Sequence, residues 1–309
     1  MKAAIEAAGL TKTFGQTRAL DAVNLSVEAG SIFGFLGPNG AGKTTMLRLL
    51  SGLARPTSGS LHVLGQAVGS AGNEVRAKIG FLPDVPAFYN WMTAGETMRF
   101  AGKLHGMSGT QLDERVHLLL DMAGLGQVVA RVGDYSRGMK QRLGIAQALI
   151  NAPQLLLLDE PTGALDPMGR KDVLELIASL RGRTTVFFST HILGDAERVC
   201  DSIAILDRGR MVAQSPIEEL KERYSKQKIV VEVTAGADSF AKAVSDCGWA
   251  KSVTLGAHGV LEITVSDLAA AQHAIPTIVS RQGTGLSRLE VKEMDLEEVF
   301  VQLVGGDRS

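Results

Sequence analysis

Gly37, Pro38, Asn39, Gly40, Ala41, Gly42, Lys43 and Thr44 stand in the order GxxxxGK[ST], directly after the apolar run Ile32 to Leu36 and directly before Thr45 to Leu50. The apolar spacing from Thr45 onward opens a helix, so the expected context is strand, loop, helix. In that context the glycines let successive backbone N–H groups converge on phosphate oxygens, and the helix N-terminus adds partial positive charge. Lys43 would reach the β and γ phosphates of a bound nucleoside triphosphate, and the Thr44 hydroxyl would hold Mg²⁺. A glycine-rich turn without a ligand is the alternative for the loop alone; the Lys-Thr pair in this context argues against it.

The other half of such a site is a carboxylate at the end of a buried strand, because Mg²⁺ prefers carboxylate and water oxygens. Four leucines, Leu155 to Leu158, lead into Asp159 and Glu160. Asp159 is the expected metal ligand and Glu160 the base that orients the attacking water, at the carboxyl end of a strand where α/β sheets place ligands. Alone, the pair reads equally well as a polar strand exit; its partnership with Lys43 favours the chemical reading.

These residues need a scaffold. Over the first 220 or so residues, short apolar runs alternate with amphipathic stretches, the pattern of βα units around a largely parallel sheet. Ile32 to Leu36, Leu155 to Leu158 and Val186 to Phe188 read as strands buried on both faces. Residues 85 to 150 read as a helical insertion, with Leu112, Val116, Leu119, Leu120 and Met122 at helical spacing. Ser136 stands at the N-cap of a helix carrying Leu143, Ala146, Leu149 and Ile150, which in physical terms alone is an ordinary capped helix. Gly138 in its first turn adds nothing to helix stability and leaves room for a close neighbour. Ser202 to Gln214 reads as a hairpin.

Lys221 to Lys228 reads as a linker, dividing residues 1–222 from 228–309. Beyond it the order is β-α-β-β-α-β, a ferredoxin-like signature, followed by a terminal helix that Asp295 and Glu298 would open as a capping box.

The ordered motifs resemble the ATP-binding cassette (ABC) family, and the match covers nearly the whole first domain. Tyr135 to Met139 looks like a divergent form of that family's LSGGQ signature, Gly163 to Asp166 like the loop after its Walker B strand, and Ser189 to His191 like its switch-histidine segment. Phe14 matches the aromatic that stacks on adenine. Without the resemblance, Phe14 reads as a core aromatic and His191 as a satisfied polar residue. The resemblance implies a P-loop NTPase core with a helical signature subdomain and a small α+β ferredoxin-like C-terminal domain. It implies an ATPase in which Ser136, Gly138 and Asp166 contact nucleotide, the signature acting in trans, and His191 serves beside Glu160 and Lys43. The chain departs from the pattern twice: Asp84 replaces the usual Gln, still able to approach Mg²⁺, and Arg137 replaces the first signature Gly. One copy of each motif implies a homodimer, or pairing with a paralogous ATPase subunit. The C-terminal extension resembles the ATPase subunits of bacterial type 2 exporters, which implies a separate integral membrane permease and a peripheral place on the cytoplasmic face of the membrane. Phe88, Tyr89, Trp91 and Met92 fit a docking groove for that permease or, alternatively, core packing. The C-terminal domain reads as a stabilising or dimerising module or as a ligand sensor.

Composition narrows the rival classes. Lys plus Arg total 32 against 33 Asp plus Glu, so no global positive field attracts nucleic acid. A soluble ABC protein working on ribosomes or DNA would be expected to carry paired cassettes or a basic surface; a non-transport regulator would not need Lys43, Asp159, Glu160 and His191 all intact. The two cysteines, Cys200 and Cys247, lack metal-ligand spacing and read as ordinary thiols. His62, His105, His117, His258 and His273 fall outside the motifs and read as surface or structural residues.

Overall fold

The computed structural model describes residues 3–68, 73–224, 228–256, 259–292 and 296–305. The chain divides into two units, Met1–Ile217 with the chain end from Leu303, and Glu218–Gln302.

The first unit begins with β1 (Ala3–Phe14), β2 (Thr17–Glu28), β3 (Ile32–Leu36), α1 (Lys43–Leu50), β4 (Ser58–Val63), β5 (Gln66–Ala67), α2 (Asn73–Arg76) and β6 (Ile79–Leu82). The helical insertion follows as α3 (Ala94–Leu104), α4 (Gly109–Met122) and α5 (Arg137–Ala148). The unit continues through β7 (Leu155–Asp159), α6 (Pro167–Ala178), β8 (Thr185–Thr190), α7 (Leu193–Val199), β9 (Ser202–Asp207) and β10 (Arg210–Pro216), and α8 (Ile217–Tyr224) comes next.

Its main sheet has the order β10-β9-β3-β8-β7-β6. The strands from β9 to β6 run parallel, and β10 closes one edge antiparallel. Every residue of β3, β7 and β8 is buried, which is why those strands read as continuous apolar runs. Phe33 and Phe35 pack on Phe187, with ring centroids 5.6 and 5.3 Å apart. The reading of one largely parallel sheet missed a second, antiparallel sheet of order β2-β1-β4-β5. A single apolar core, including Leu20, Val27, Met46, Leu49, Leu157 and Phe187, joins both sheets through α1.

The insertion is helical only from Ala94. Thr93 and Glu96 form a reciprocal capping box that starts α3 there. Leu112, Val116, Leu119 and Leu120 are buried as expected, whereas Met122 is half-buried. Asp166 caps α6 ahead of Pro167.

The linker reading needs correction: Lys221 to Tyr224 complete α8, whose Ile217 and Leu220 are buried, and Lys228 already starts a strand. The second unit contains β11 (Lys228–Val233), α9 (Ala237–Ser245), β12 (Ala250–Leu255), β13 (Val260–Val265), α10 (Leu268–Gln282) and β14 (Leu286–Lys292), with α11 (Leu296–Gly305) after them. Its antiparallel sheet has the order β12-β13-β11-β14, the ferredoxin-like arrangement. Phe240, Val244, Ile275 and Val279 pack on Ile229, Val231, Leu261 and Ile263 in a core of its own. Asp295 of the expected capping box and His258 lie outside the described residues.

Because the phosphate-loop core draws only on residues before Ile217, a chain ending at Ser225 is expected to unfold cooperatively and to retain nucleotide binding. Thermal unfolding and nucleotide titration check this; a chain that lacks a cooperative transition would mean the second unit completes the first unit's core.

Candidate active site

The parallel register sets the site. Leu36 at the end of β3 lies level with Thr190 of β8, and Asp159 of β7 is level with Ser189. The carboxyl ends of three neighbouring strands therefore deliver the loop from Gly37, the Asp159–Glu160 pair and the segment leading to His191 to one edge of the sheet.

The loop is held by close backbone approach. A Cβ at Gly37 would lie 2.3 Å from the Leu206 carbonyl oxygen, and one at Gly42 would lie 2.5 Å from that of Ala19. Gly42 also has φ of 113°, in the left-handed region, and stands as N-cap of α1 without any side-chain cap. The first N–H groups of α1 thus remain available to an anion.

Lys43 is 6 % exposed. Its Nζ donates to the carbonyl oxygens of Gly37 at 2.7 Å and Pro38 at 3.2 Å, and lies 3.2 Å from Glu160 Oε1. The other carboxylate oxygen of Glu160 is 2.8 Å from His191 Nδ1 and accepts from the His191 backbone N–H. The three residues expected to do chemistry form one continuous polar chain. Beside it, the Thr44 hydroxyl donates to Asp159 Oδ1 at 3.5 Å, and Ser189 Oγ donates to the same oxygen at 2.6 Å. Among the described residues no cluster of three His, Cys, Asp or Glu could hold a metal. Thr44 and Asp159 fit an ion that keeps waters and phosphate oxygens as its other ligands, the usual habit of Mg²⁺.

A cleft of about 510 Å³ is lined by Asn39, Gly40, Gly42, Lys43, Thr44, Thr45, Asp84, Asp159 and Glu160. It also includes Thr17, Arg18, Ala19, Arg208 and Gly209, which sequence reasoning missed because nothing local to them signals chemistry. Arg18 and Arg210 both bond to Asp21, holding its carboxyl below the usual range. Ser189, fully buried, was read only as part of the histidine segment; its role depends on lying beside Asp159 in a neighbouring strand.

The remaining site residues lie around this cleft. Phe14 is 48 % exposed, which overturns the core-aromatic reading, and the Lys12 ammonium sits 4.8 Å from its ring centroid. Asp84 borders the cleft with Thr44 and Asp159, and its ion pair is with Arg137, at 4.0 Å. The two departures from the family pattern thus face each other. Ser136 caps α5 by accepting from the Met139 N–H and is not among the residues lining the cleft. A Cβ on Gly138 would meet Gly169 Cα at 3.5 Å and Ser136 Oγ at 4.0 Å, both ordinary contacts, so packing within the chain does not require glycine there. Asp166 accepts from the Gly169 N–H as cap of α6. Tyr89 and Trp91 are exposed and lie 5.8 Å apart, which rules out core packing for both; Phe88 and Met92 are half-buried.

Comparison with known proteins agrees with this geometry. The ABC transporter family model matches residues 20–163, and a model described as ATP-binding protein DrrA1-3-like, C-terminal domain, matches residues 216–304. The bacitracin transport ATP-binding protein BcrA of Bacillus licheniformis is 35 % identical, with 99 % of each chain covered. The daunorubicin resistance ATP-binding protein DrrA3 of Streptomyces coeruleorubidus is 35 % identical over 99 % of this chain and 97 % of its own. A dimeric ATP-binding cassette solved in a post-hydrolysis state with ADP and Pi superposes with a TM-score of 0.62 at 28 % identity, covering 69 % of this chain and 98 % of that one. With a phosphate loop, a strand-end carboxylate pair and a histidine joined in one site, and near full-length relatives above 30 % identity, the chain belongs to the ABC transporter ATP-binding proteins and is an ATPase of that family.

Proposed function

We propose that this chain powers export through a separate membrane permease, working as a dimer with a second copy of itself or a paralogous ATPase on the cytoplasmic face of the membrane. The observation that carries the reading is the link Lys43–Glu160–His191 at the ends of β3, β7 and β8. On this reading Lys43 exchanges its carbonyl and Glu160 partners for β and γ phosphate oxygens, aided by the N–H groups of the first turn of α1, which has no side-chain cap. That exchange releases Glu160 Oε1, which then orients the attacking water, while His191 holds the other oxygen and faces the γ phosphate. Thr44 and Asp159, with Asp84 lining the same cleft, would hold Mg²⁺, which would supply charge neutralisation at the transferring phosphoryl group. Phe14 offers its exposed ring to adenine.

Closure in trans is supported by the position of Ser136 outside its own cleft and by the absence of any intrachain need for glycine at position 138. Ser136, Gly138 and Asp166 would complete the partner's nucleotide site. The names of the two relatives, a bacitracin transport and a daunorubicin resistance protein, support export. No helix among the described residues is long and apolar enough to cross a membrane. The exposed Tyr89–Trp91 pair supports a permease contact beside Asp84.

Lys43 and Glu160 then have separable tasks. Lys43→Ala is expected to abolish ATP binding, whereas Glu160→Gln binds ATP, hydrolyses it at least about a hundredfold more slowly and accumulates a closed dimer. Nucleotide titration, ATPase rate and gel filtration with Mg-ATP distinguish them; wild-type turnover by Glu160→Gln would remove Glu160 as the base.

Asp84, which lines the cleft and precedes the Tyr89–Trp91 segment in the chain, is expected to link nucleotide state to the permease. Asp84→Ala should lower the permease's stimulation of ATPase activity more than it lowers ATP binding, and Asp84→Gln should retain much of it. ATPase rates in reconstituted membranes with and without permease measure this, and equal stimulation of all three proteins would leave Asp84 an ordinary loop carboxylate.

A further inference from the structure

Glu160 has φ of 46°, in the left-handed region, where a residue with a side chain stays only if its surroundings hold it. On the upstream side its N–H is held by the carbonyl and hydroxyl oxygens of Ser189, at 3.1 and 3.3 Å. Downstream, the Gly163 N–H closes a turn onto the Glu160 carbonyl at 3.0 Å, and inside that turn sits Thr162, 1 % exposed. The Thr162 hydroxyl donates to Asp195 Oδ2 at 2.6 Å, and Arg170 Nε donates to Asp195 Oδ1. Asp195 is itself 1 % exposed, so its charge depends on those two donors instead of water.

Asp195 lies in α7, which begins two residues after His191, and Arg170 lies in α6, one turn beyond its cap Asp166. One buried carboxylate therefore ties together the segments carrying Glu160, His191 and Asp166. We propose that Asp195 is a positioning residue for hydrolysis: through Thr162 it fixes the downstream end of the turn that aims Glu160, and through α7 it keeps the His191 ring on Glu160 Oε2. This rests on the reading of Glu160 as the group that orients water. Lys43 meets this network only through Glu160, and the loop glycines Gly37 and Gly42 pack against the carbonyls of Leu206 and Ala19, away from Thr162 and Asp195, so loss of the network is expected to act on turnover and leave ATP affinity intact.

Thr162→Val removes the hydroxyl at nearly constant volume, and Thr162→Ser keeps it. In the full chain with Mg-ATP, Thr162→Val is expected to lower kcat about tenfold with ATP affinity unchanged within about twofold, and Thr162→Ser to restore kcat. Asp195→Asn, followed also by thermal unfolding, is expected to show the same split. The effect of Thr162→Val is expected to vanish in a Glu160→Gln background, since the turn then aims no working carboxylate. If Glu160→Gln is slow while Thr162→Val keeps the wild-type rate, the positioning role is overturned and the role of Glu160 stands. If Glu160→Gln itself turns over normally, the assignment of Glu160 fails first. A loss that persists undiminished in the Glu160→Gln background, or that falls equally on ATP affinity, also overturns the positioning role.

Discussion

Parallel pairing of β3, β8 and β7 within a layer covered on both faces is the constraint from which the rest of the molecule follows. Strands in that arrangement have no polar face to spare, so the polar residues must gather at their ends. Three adjacent ends at one sheet edge then bring Lys43, Asp159, Glu160 and His191 within hydrogen-bonding reach, although they come from three separated parts of the sequence. Sinking a single charge into that layer would be expensive, and Lys43 against Glu160, with the carbonyls of Gly37 and Pro38, is the compensated form. A nucleotide's phosphates offer Lys43 a stronger set of the same kind of partner, so binding replaces one satisfied arrangement by another instead of filling a void.

What could be read from the sequence was what depends on local spacing. The loop from Gly37 to Thr44, the leucines before Asp159 and the cap at Ser136 each announce themselves within about ten residues. The β-α-β-β-α-β order of the second unit was legible for the same reason, since short apolar strands such as Ile229 to Val233 and Val260 to Val265 stand apart from the helical stretches between them. The amino-terminal antiparallel sheet was not. Gly9 and Ala22 take positive φ values, and the β1–β2 register shifts between Ala7 and Leu10, which breaks the period-two pattern that would have revealed it. Ser189 and Asp195 were illegible as site residues because their meaning comes from a neighbouring strand and from packing between α6 and α7, and neither relation leaves a local trace.

The two units are built on different principles. The first is organised around strand ends that expose chemistry; the second places α9 and α10 on an antiparallel sheet through apolar side chains such as Phe240, Val244, Ile263 and Ile275. That difference accounts for the uneven distribution of motifs, since a small antiparallel sheet lacks a row of aligned carboxyl ends at which to assemble a phosphate site.

The clamping of Gly37 under Leu206 and of Gly42 under Ala19 has a further consequence for turnover. The loop's shape is set when the protein folds, so an incoming triphosphate meets a preorganised cradle and little conformational entropy remains to be lost on association. Departure of the products likewise demands no melting of the loop. On the proposed function, discrimination between triphosphate and diphosphate would then fall to side chains at the loop's mouth, Lys43, Glu160 and His191.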